Sequence, residues 1–328
     1  MISTGALNCC ALFAAAVAST TSENHELRPV IGRSWSVPLA DDTTLELLWV
    51  PAGRFTLGSP ATEPGRKTDE GPQTQVTLTK GFWLGQTFVT IGQWEKVMGL
   101  GVRQQLIKHI GDDTRYEIAG KKQTLRELMG WSRNATPTTY LANEGDDLPM
   151  YFVSWNDATE FAHKLTARER AAGRLPEGYE YSLPTEAQWE YACRAGTTSA
   201  TYAGPNTAAV LTNIAWYDQN SAAEYAGRRL GPTRSGPRSV AKKQPNAWGL
   251  YDMYGNIWQW CRDWYGLYPG GSVTDPAGPA SGTNRVNRGG SFGSGASSER
   301  SACRAANPQV EASAYRGFRV ALCPLQPR

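Results

Sequence analysis

The sequence predicts an irregular, loop-rich α+β fold of short helices and small antiparallel sheets, and three observations carry that prediction. Its 328 residues include 34 glycines, 20 prolines and 12 tryptophans but only 19% charged residues, the composition of many turns closed over aromatic clusters. After Gly196 no long periodic segment appears, and Gly204-Pro205, Gly231-Pro232, Gly236-Pro237, Pro276-Ala-Gly-Pro279 and Gly289-Gly290 punctuate the chain. The stretch Asn246-Ala-Trp-Gly-Leu-Tyr-Asp-Met-Tyr-Gly-Asn-Ile-Trp-Gln-Trp260, continued by Cys261-Arg-Asp-Trp-Tyr265, interleaves large rings with Gly249, Gly255 and Asn256. Rings packed beside tight turns build a core shaped around a site and not a regular helix.

Taken in order, residues 1–19 contain the apolar run Ala6–Ala18, and Ala16-Val-Ala18 has the small residues of a cleavage site, so the segment reads as a secretory signal. No Lys or Arg precedes the run, and Asn8, Cys9 and Cys10 interrupt it, so an ordinary N-terminus is the competing reading. Residues 20–36 are polar and unpatterned and read as a linker, and residues 37–325 read as one domain. Leu45–Val50 and Gly53–Gly58 read as two strands joined by a turn at Pro51-Ala52-Gly53, and Thr74–Leu84 as a third. Thr90 caps a helix that buries Ile91, Trp94 and Val97 or Met98 at helical spacing. Residues 99–144 read as an insertion with a helical piece at Thr124–Met129. Leu148–Trp155 is expected as a strand leading into a helix capped by Asn156, with Ala158, Phe161, Ala162 and Leu165 buried and His163 beside them as a packing residue. Thr185-Glu-Ala-Gln188 has capping-box spacing, so Trp189, Ala192 and Cys193 should face inward. Glu186 and Glu190 are then expected to complement the helix dipole.

A net charge of +3 and short pairs such as Lys242-Lys243 and Arg228-Arg229 give no basic stripe, so nucleic acid is not an expected partner. No stretch reaches the length of a membrane-spanning helix. Beyond the leader, Cys193, Cys261, Cys303 and Cys323 permit up to two disulfides or an all-thiol core. The three histidines, His25, His109 and His163, have no metal-ligand spacing, and Gly289-Gly290 lacks the setting and the lysine of a phosphate loop.

Three stretches in matching order, Tyr181-Ser-Leu-Pro-Thr-Glu-Ala-Gln-Trp-Glu-Tyr-Ala192, the aromatic stretch above, and Asn287-Arg-Gly-Gly-Ser-Phe292 with Tyr315-Arg-Gly-Phe-Arg-Val320, resemble the sulfatase-modifying-factor family. That family includes the formylglycine-generating enzymes, and the resemblance runs from about Leu47 to Leu322. It implies a C-type-lectin-like variant of the α+β fold, in which loops form the binding face. The family opening around Pro51-Ala52-Gly53 is then an entry hairpin. The enzyme branch is a copper oxidase that uses two thiolates after its R-G-G-S-W turn, because soft sulfur selects Cu(I). Here that turn is Arg288-Gly-Gly-Ser-Phe292, and the two positions hold Ser294 and Glu299. Copper is therefore not expected, although a rearranged oxidase site using Cys303 with Cys261 or Cys323 stays as the alternative. The iron-dependent sulfoxide synthases of the family need a three-histidine motif that this chain lacks.

A third branch displays changeable side chains between that turn and the terminal G-F-R, which here is Gly293 to Arg316. The resemblance therefore implies recognition of a protein or small ligand by Trp264, Tyr265 and Phe292 as a rim, with Ser294, Ser297, Glu299, Asn307, Gln309 and Tyr315 as contacts. It also implies a structural calcium near Asn213, Ile214, Asp218 and Asn256, weakened because Gln259 stands where a glutamate is usual. Arg288, Arg304 and Arg319 are expected to anchor carboxylates beneath the turn. The leader implies a secreted or periplasmic protein.

Overall fold

The computed structural model describes residues 30–134, 136–222 and 235–325, and the predicted leader and the Arg228-Arg229 pair lie outside them. The linker ends earlier than the sequence suggested. Strand β1 (Ser34–Ala40) turns Val37 and Leu39 inward and pairs antiparallel with β2 (Thr43–Val50). These belong to a five-stranded sheet ordered β1-β2-β5-β16-β8, with β5 (Phe82–Gly85), β16 (Ala321–Pro324) and β8 (Tyr179–Ser182). The last strand among the described residues is thus an interior strand.

The segment after Pro51-Ala52 forms β3 (Gly53–Leu57), but no hairpin with β2 exists. Both edges of β2 are already taken by β1 and β5, so β3 crosses to a second sheet and pairs with β4 (Thr74–Leu78), whose other neighbour is β12 (Ser272–Thr274). The expected strand over 74–84 divides into β4 and β5. Between them Gly81 lies so close to Trp49 that a Cβ there would sit 2.2 Å from the indole ring.

Helix α1 (Ile91–Met98) has the predicted cap, with Thr90 Oγ1 accepting from the Gln93 N–H at 3.2 Å. The insertion contains α2 (Val102–Gly111), which the sequence did not reveal, a hairpin of β6 (Arg115–Ile118) and β7 (Lys121–Thr124), and the expected α3 (Leu125–Met129) capped by Thr124. Residues 148–154 make only a bridge between Thr90 and Pro149, and α4 (Trp155–Ala171) is capped by Ser154 and not by Asn156. Ser154 wins because its hydroxyl accepts from the Asp157 N–H while Asp157 accepts from the Ser154 N–H, a reciprocal box that Asn156 cannot form. Ala158, Phe161, Ala162 and Leu165 are buried as predicted, whereas His163 is exposed. Helix α5 (Glu186–Arg194) starts at its predicted box and buries Trp189, Ala192 and Cys193.

A four-stranded sheet carries the C-terminal half, ordered β14-β13-β11-β15, with β11 (Trp258–Trp264), β13 (Arg285–Arg288), β14 (Arg304–Asn307) and β15 (Arg316–Gly317). Short α6 (Ala208–Ile214) leads into β9 (Ala215–Trp216), which runs parallel to β10 (Tyr254–Gly255). The sheets are therefore small but not purely antiparallel. One core cluster packs α1 and α4 against the five-stranded sheet, with Trp94 stacked on Phe161 at 5.6 Å, and a second surrounds Trp189, Tyr254 and Cys261. No helix among the described residues is long and apolar enough to cross a membrane.

Candidate functional site

The aromatic stretch forms a hub on which the later turn is threaded. Gly255 and Asn256 both have left-handed backbone, at φ 69° and 62°, and a Cβ on Gly255 would stand 2.2 Å from the Trp216 carbonyl oxygen. In that conformation the Gly255 N–H donates to Gly289 O at 2.7 Å and the Phe292 N–H donates to Asn256 O at 2.7 Å. The Ser221 hydroxyl donates to the Phe292 carbonyl at 2.6 Å, tying in a third segment. Sequence spacing announces each turn but not that they interlock.

Beneath the hub lies a layer of buried arginines. Arg304 holds Glu186 with both oxygens, at 2.8 and 2.6 Å, and Glu190 is shared by Arg194, at 2.8 Å, and Arg288. Glu186 and Glu190 are thus buried, arginine-paired anchors, a role beyond the helix-dipole complement expected of them. The expectation for Arg288 and Arg304 holds. Arg319 differs: its guanidinium bonds the Gln259 side-chain oxygen at 2.6 Å and the backbone carbonyls of Gly85 and Tyr251, each at 2.8 Å. Burial lowers the Arg319 pKa to about 10. Gln259 Oε1 also accepts from the Trp189 indole N–H at 2.7 Å while its Nε2 donates to the Asp252 carbonyl at 3.0 Å, a donor role that the usual glutamate would not fill.

The residues predicted to contact a ligand fall into two groups. Trp264, Arg285 and Asn307 stand in register across β11, β13 and β14, and the Arg285 guanidinium lies between two indoles, 3.4 Å from the Trp264 centroid and 3.7 Å from that of Trp155. The Gln309 carbonyl accepts from the Trp155 N–H at 3.1 Å, joining this row. Trp155 also borders a cavity of about 130 Å³ lined by Thr159, His163, Glu180 and Arg262. Tyr265, under Arg304 at 4.4 Å, donates its hydroxyl to Asp69. In the second group Ser297 is exposed, Ser294 and Tyr315 are half-buried, and Tyr315 stacks on Phe292 at 4.7 Å. Phe292 and Glu299 themselves are fully buried, so they support this surface from below and do not form its rim. Sequence reasoning missed Trp155 and Arg285, whose pairing requires the cross-strand register. It also missed a cavity of about 350 Å³ between β3, β4 and the end of α5, lined by Arg54, Phe55, Gln75, Tyr191 and Thr197.

Cys193, Cys261, Cys303 and Cys323 are all buried free thiols, and burial raises the pKa of each. Cys303 lies among the charges of Arg300, Glu70 and Lys67, whereas Cys261 lies among those of Asp263 and Glu186. Ser294 and Glu299, at the positions of the family's copper thiolates, supply a hydroxyl and a carboxyl, which do not fit a soft ion.

Of the residues expected around calcium, Asn213 and Asn256 have other side-chain partners. Asn256 accepts from the Arg238 N–H and donates to the Arg238 carbonyl, Asn213 is exposed and donates to Ala209 O, and Ile214 is buried. Lys243 donates to the Thr212 carbonyl and lies over the Trp216 ring at 3.8 Å, bringing a positive charge to this end of α6. Asp218 keeps a buried oxygen without a partner among the described residues.

The Streptomyces coelicolor protein "Formylglycine-generating enzyme" is 34% identical over 295 residues, covering 83% of this chain and 87% of that relative. The mouse protein of the same name is 26% identical over 74% of this chain, which spans 65% of that relative's length. Mouse "Inactive C-alpha-formylglycine-generating enzyme 2" is 27% identical, covering 86% of this chain and 87% of its own. Among solved structures, Treponema denticola variable protein 1 matches with a TM-score of 0.64 and 25% identity, covering 89% of this chain and 99% of its own. The family model described as "Sulfatase-modifying factor enzyme 1-like domain" matches residues 36–323, a span that takes in the hub, the arginine layer and both groups of surface residues, and the chain belongs to that family.

Proposed function

We propose that this chain is a recognition protein of the family that does not use copper-thiolate oxidation and binds a protein or small ligand on its C-terminal face. The observation that carries the reading is the pair Ser294 and Glu299 at the positions of the family's copper thiolates, with the chain's own thiols buried elsewhere. That one relative carries "inactive" in its name supports the existence of such members. The binding face is the row of Trp155, Arg285, Trp264 and Asn307 together with Tyr265, Gln309, Ser294, Ser297 and Tyr315. Indoles held flat by a guanidinium offer rigid contact area at little entropic cost, and the half-buried polar groups beside them can adapt to a partner. The reading also places the protein outside the cytoplasm, released by cleavage near residue 19, which N-terminal sequencing of the mature protein tests.

Cu(I) titration of the reduced protein against a chelator tests the absence of oxidase chemistry, with Cys303→Ser and Cys261→Ser beside it. The expected result is no copper retained above the variants and no oxygen consumed with thiol peptides. Tight binding lost in either variant overturns the reading in favour of a rearranged oxidase. For recognition, a peptide-display selection should return sequences whose binding is lost with Trp264→Ala or Arg285→Ala; sequences held equally by both variants would move the site elsewhere.

A further inference from the structure

Five glutamates are buried among the described residues, and four of them have an arginine: Glu70 with Arg300, Glu169 with Arg174, Glu186 with Arg304, and Glu190 with Arg194 and Arg288. Glu299 is the exception. It is 0% exposed, and neither carboxyl oxygen has a hydrogen-bond partner among the described residues. The N–H groups that face it, those of Ser291 and Gly255, already donate to Ser294 Oγ at 3.1 Å and Gly289 O at 2.7 Å. Gly290 packs directly against the carboxyl, since a Cβ there would lie 2.3 Å from Oε1 and 2.5 Å from Oε2. Leaving a buried carboxylate unpaired costs several kcal/mol, so such a group needs a counter-ion or a proton.

A second carboxyl is at hand. Asp218 keeps its Oδ1 buried and unpartnered, its charge acts on Glu299, and its N–H donates to the Ser294 carbonyl at 3.1 Å. The Ser291 and Ser294 hydroxyls, 2.9 Å from each other, complete a set made of oxygen alone. Asp218 is half-exposed and leaves a way in from solvent.

The geometry points to a hard divalent cation of the calcium type held between Glu299 and Asp218, beside the Ser291–Ser294 hydroxyl pair. One ion satisfies three otherwise unpaired buried oxygens, and oxygen donors with two carboxylates are what such a cation takes. The site shares Asp218 with the calcium site anticipated at Asn213, Ile214, Asp218 and Asn256 but takes Glu299 and the serine pair in place of the other three, and it replaces soft-metal chemistry in this pocket with hard-metal binding. It stands whether or not the face above takes a partner, and its probe is not copper, so the two readings fail separately.

The test uses the full chain stripped with a chelator and titrated with Tb³⁺, exciting Trp216 and Tyr217, which directly precede Asp218 in sequence. Sensitised emission should appear, be displaced by Ca²⁺, and weaken at least ~10-fold in affinity for both Glu299→Gln and Asp218→Asn as a charged ligand is lost. Cys323→Ser should bind as the unaltered protein does. Calcium should also raise the melting temperature of the unaltered chain, a reading that does not depend on the variants folding. Emission unchanged in Glu299→Gln, or no emission together with no calcium effect on melting, overturns the site and leaves Glu299 as a buried neutral acid.

Discussion

Glu190 accepts from Arg194 on its own helix and from Arg288 on β13 while fully buried, so its removal takes a counter-charge from two buried guanidiniums, which keep their bonds to backbone carbonyls and, for Arg288, the Glu186 carboxylate. Breaking such a pair from one side costs about 3–5 kcal/mol. Glu190→Gln should lower the unfolding free energy by about that amount in urea, and a loss below about 1 kcal/mol would put the cluster in the class of weak ion pairs. Gly290 makes a second case. Its φ of 76° and the Glu299 carboxyl behind it both exclude a side chain, so Gly290→Ala should destabilise by more than the ~1 kcal/mol typical of backbone strain alone. In a double-mutant cycle Glu299→Ala should recover part of the loss, and strict additivity would separate the two residues. The double variant Ser294→Cys with Glu299→Cys should bind Cu(I) more tightly than the unaltered chain, which tests the alignment of this pocket with the family's copper positions. At this scale the local capping spacing was readable at Thr90 and Thr185, whereas the equally local Ser154 cap was misplaced at Asn156. The sequence was not readable for Glu186 and Glu190, whose arginine partners on β13 and β14 lie 98 to 118 residues away.

The insertion shares the main core through Val102, Leu106, Ile110 and Leu125, and a buried polar contact adds to that packing. His109 on α2 meets the Asp157 carboxylate of α4 at 3.2 Å, and Gln105 reaches the same imidazole nitrogen at 2.8 Å. Burial opposes the charge on Asp157, but the hydrogen bond and charge of His109 outweigh it and hold its pKa well below the ordinary carboxylate value. His109→Ala should therefore loosen α2, β6, β7 and α3 together, raising hydrogen exchange over 102–129 by about 1–3 kcal/mol of local protection. Exchange in β11 and β13 should not change; equal loosening there would mean that the insertion is part of the main cooperative unit. Helix α2 escaped the sequence reading because Gln105, Lys108 and His109 interrupt its apolar positions Val102, Leu106 and Ile110, and two of those polar residues are buried. The expected hairpin at Pro51-Ala52-Gly53 failed for another reason. A turn motif specifies that the chain changes direction, not which sheet edge is vacant, and β2 has none.

Across the whole molecule, stability should fall with rising pH in a window set by Asp263. Burial, then the charge of Glu186, raises its folded pKa to about 7, against about 3.9 in an unfolded chain. The folded state holds that proton longer, so the contribution is complete below about pH 4 and is lost as pH climbs through about 7. Urea unfolding at about pH 5 and about pH 8 should show the decline, and Asp263→Asn should flatten it; an unchanged slope would assign the effect to other groups. The general architecture was legible because aromatic and glycine spacing survives in short motifs, while the row of Trp155, Trp264, Arg285 and Asn307 was not, since it depends on the register of β11, β13 and β14. The position of β16 between β5 and β8 has one more consequence. A chain growing from a ribosome has already presented β1, β2, β5 and β8, yet it cannot join them into one sheet until residues 321–324 emerge. The five-stranded sheet thereby closes only once this segment has been made, and arrested chains ending before Gly317 should be digested by protease where a chain carrying residues 321–324 resists.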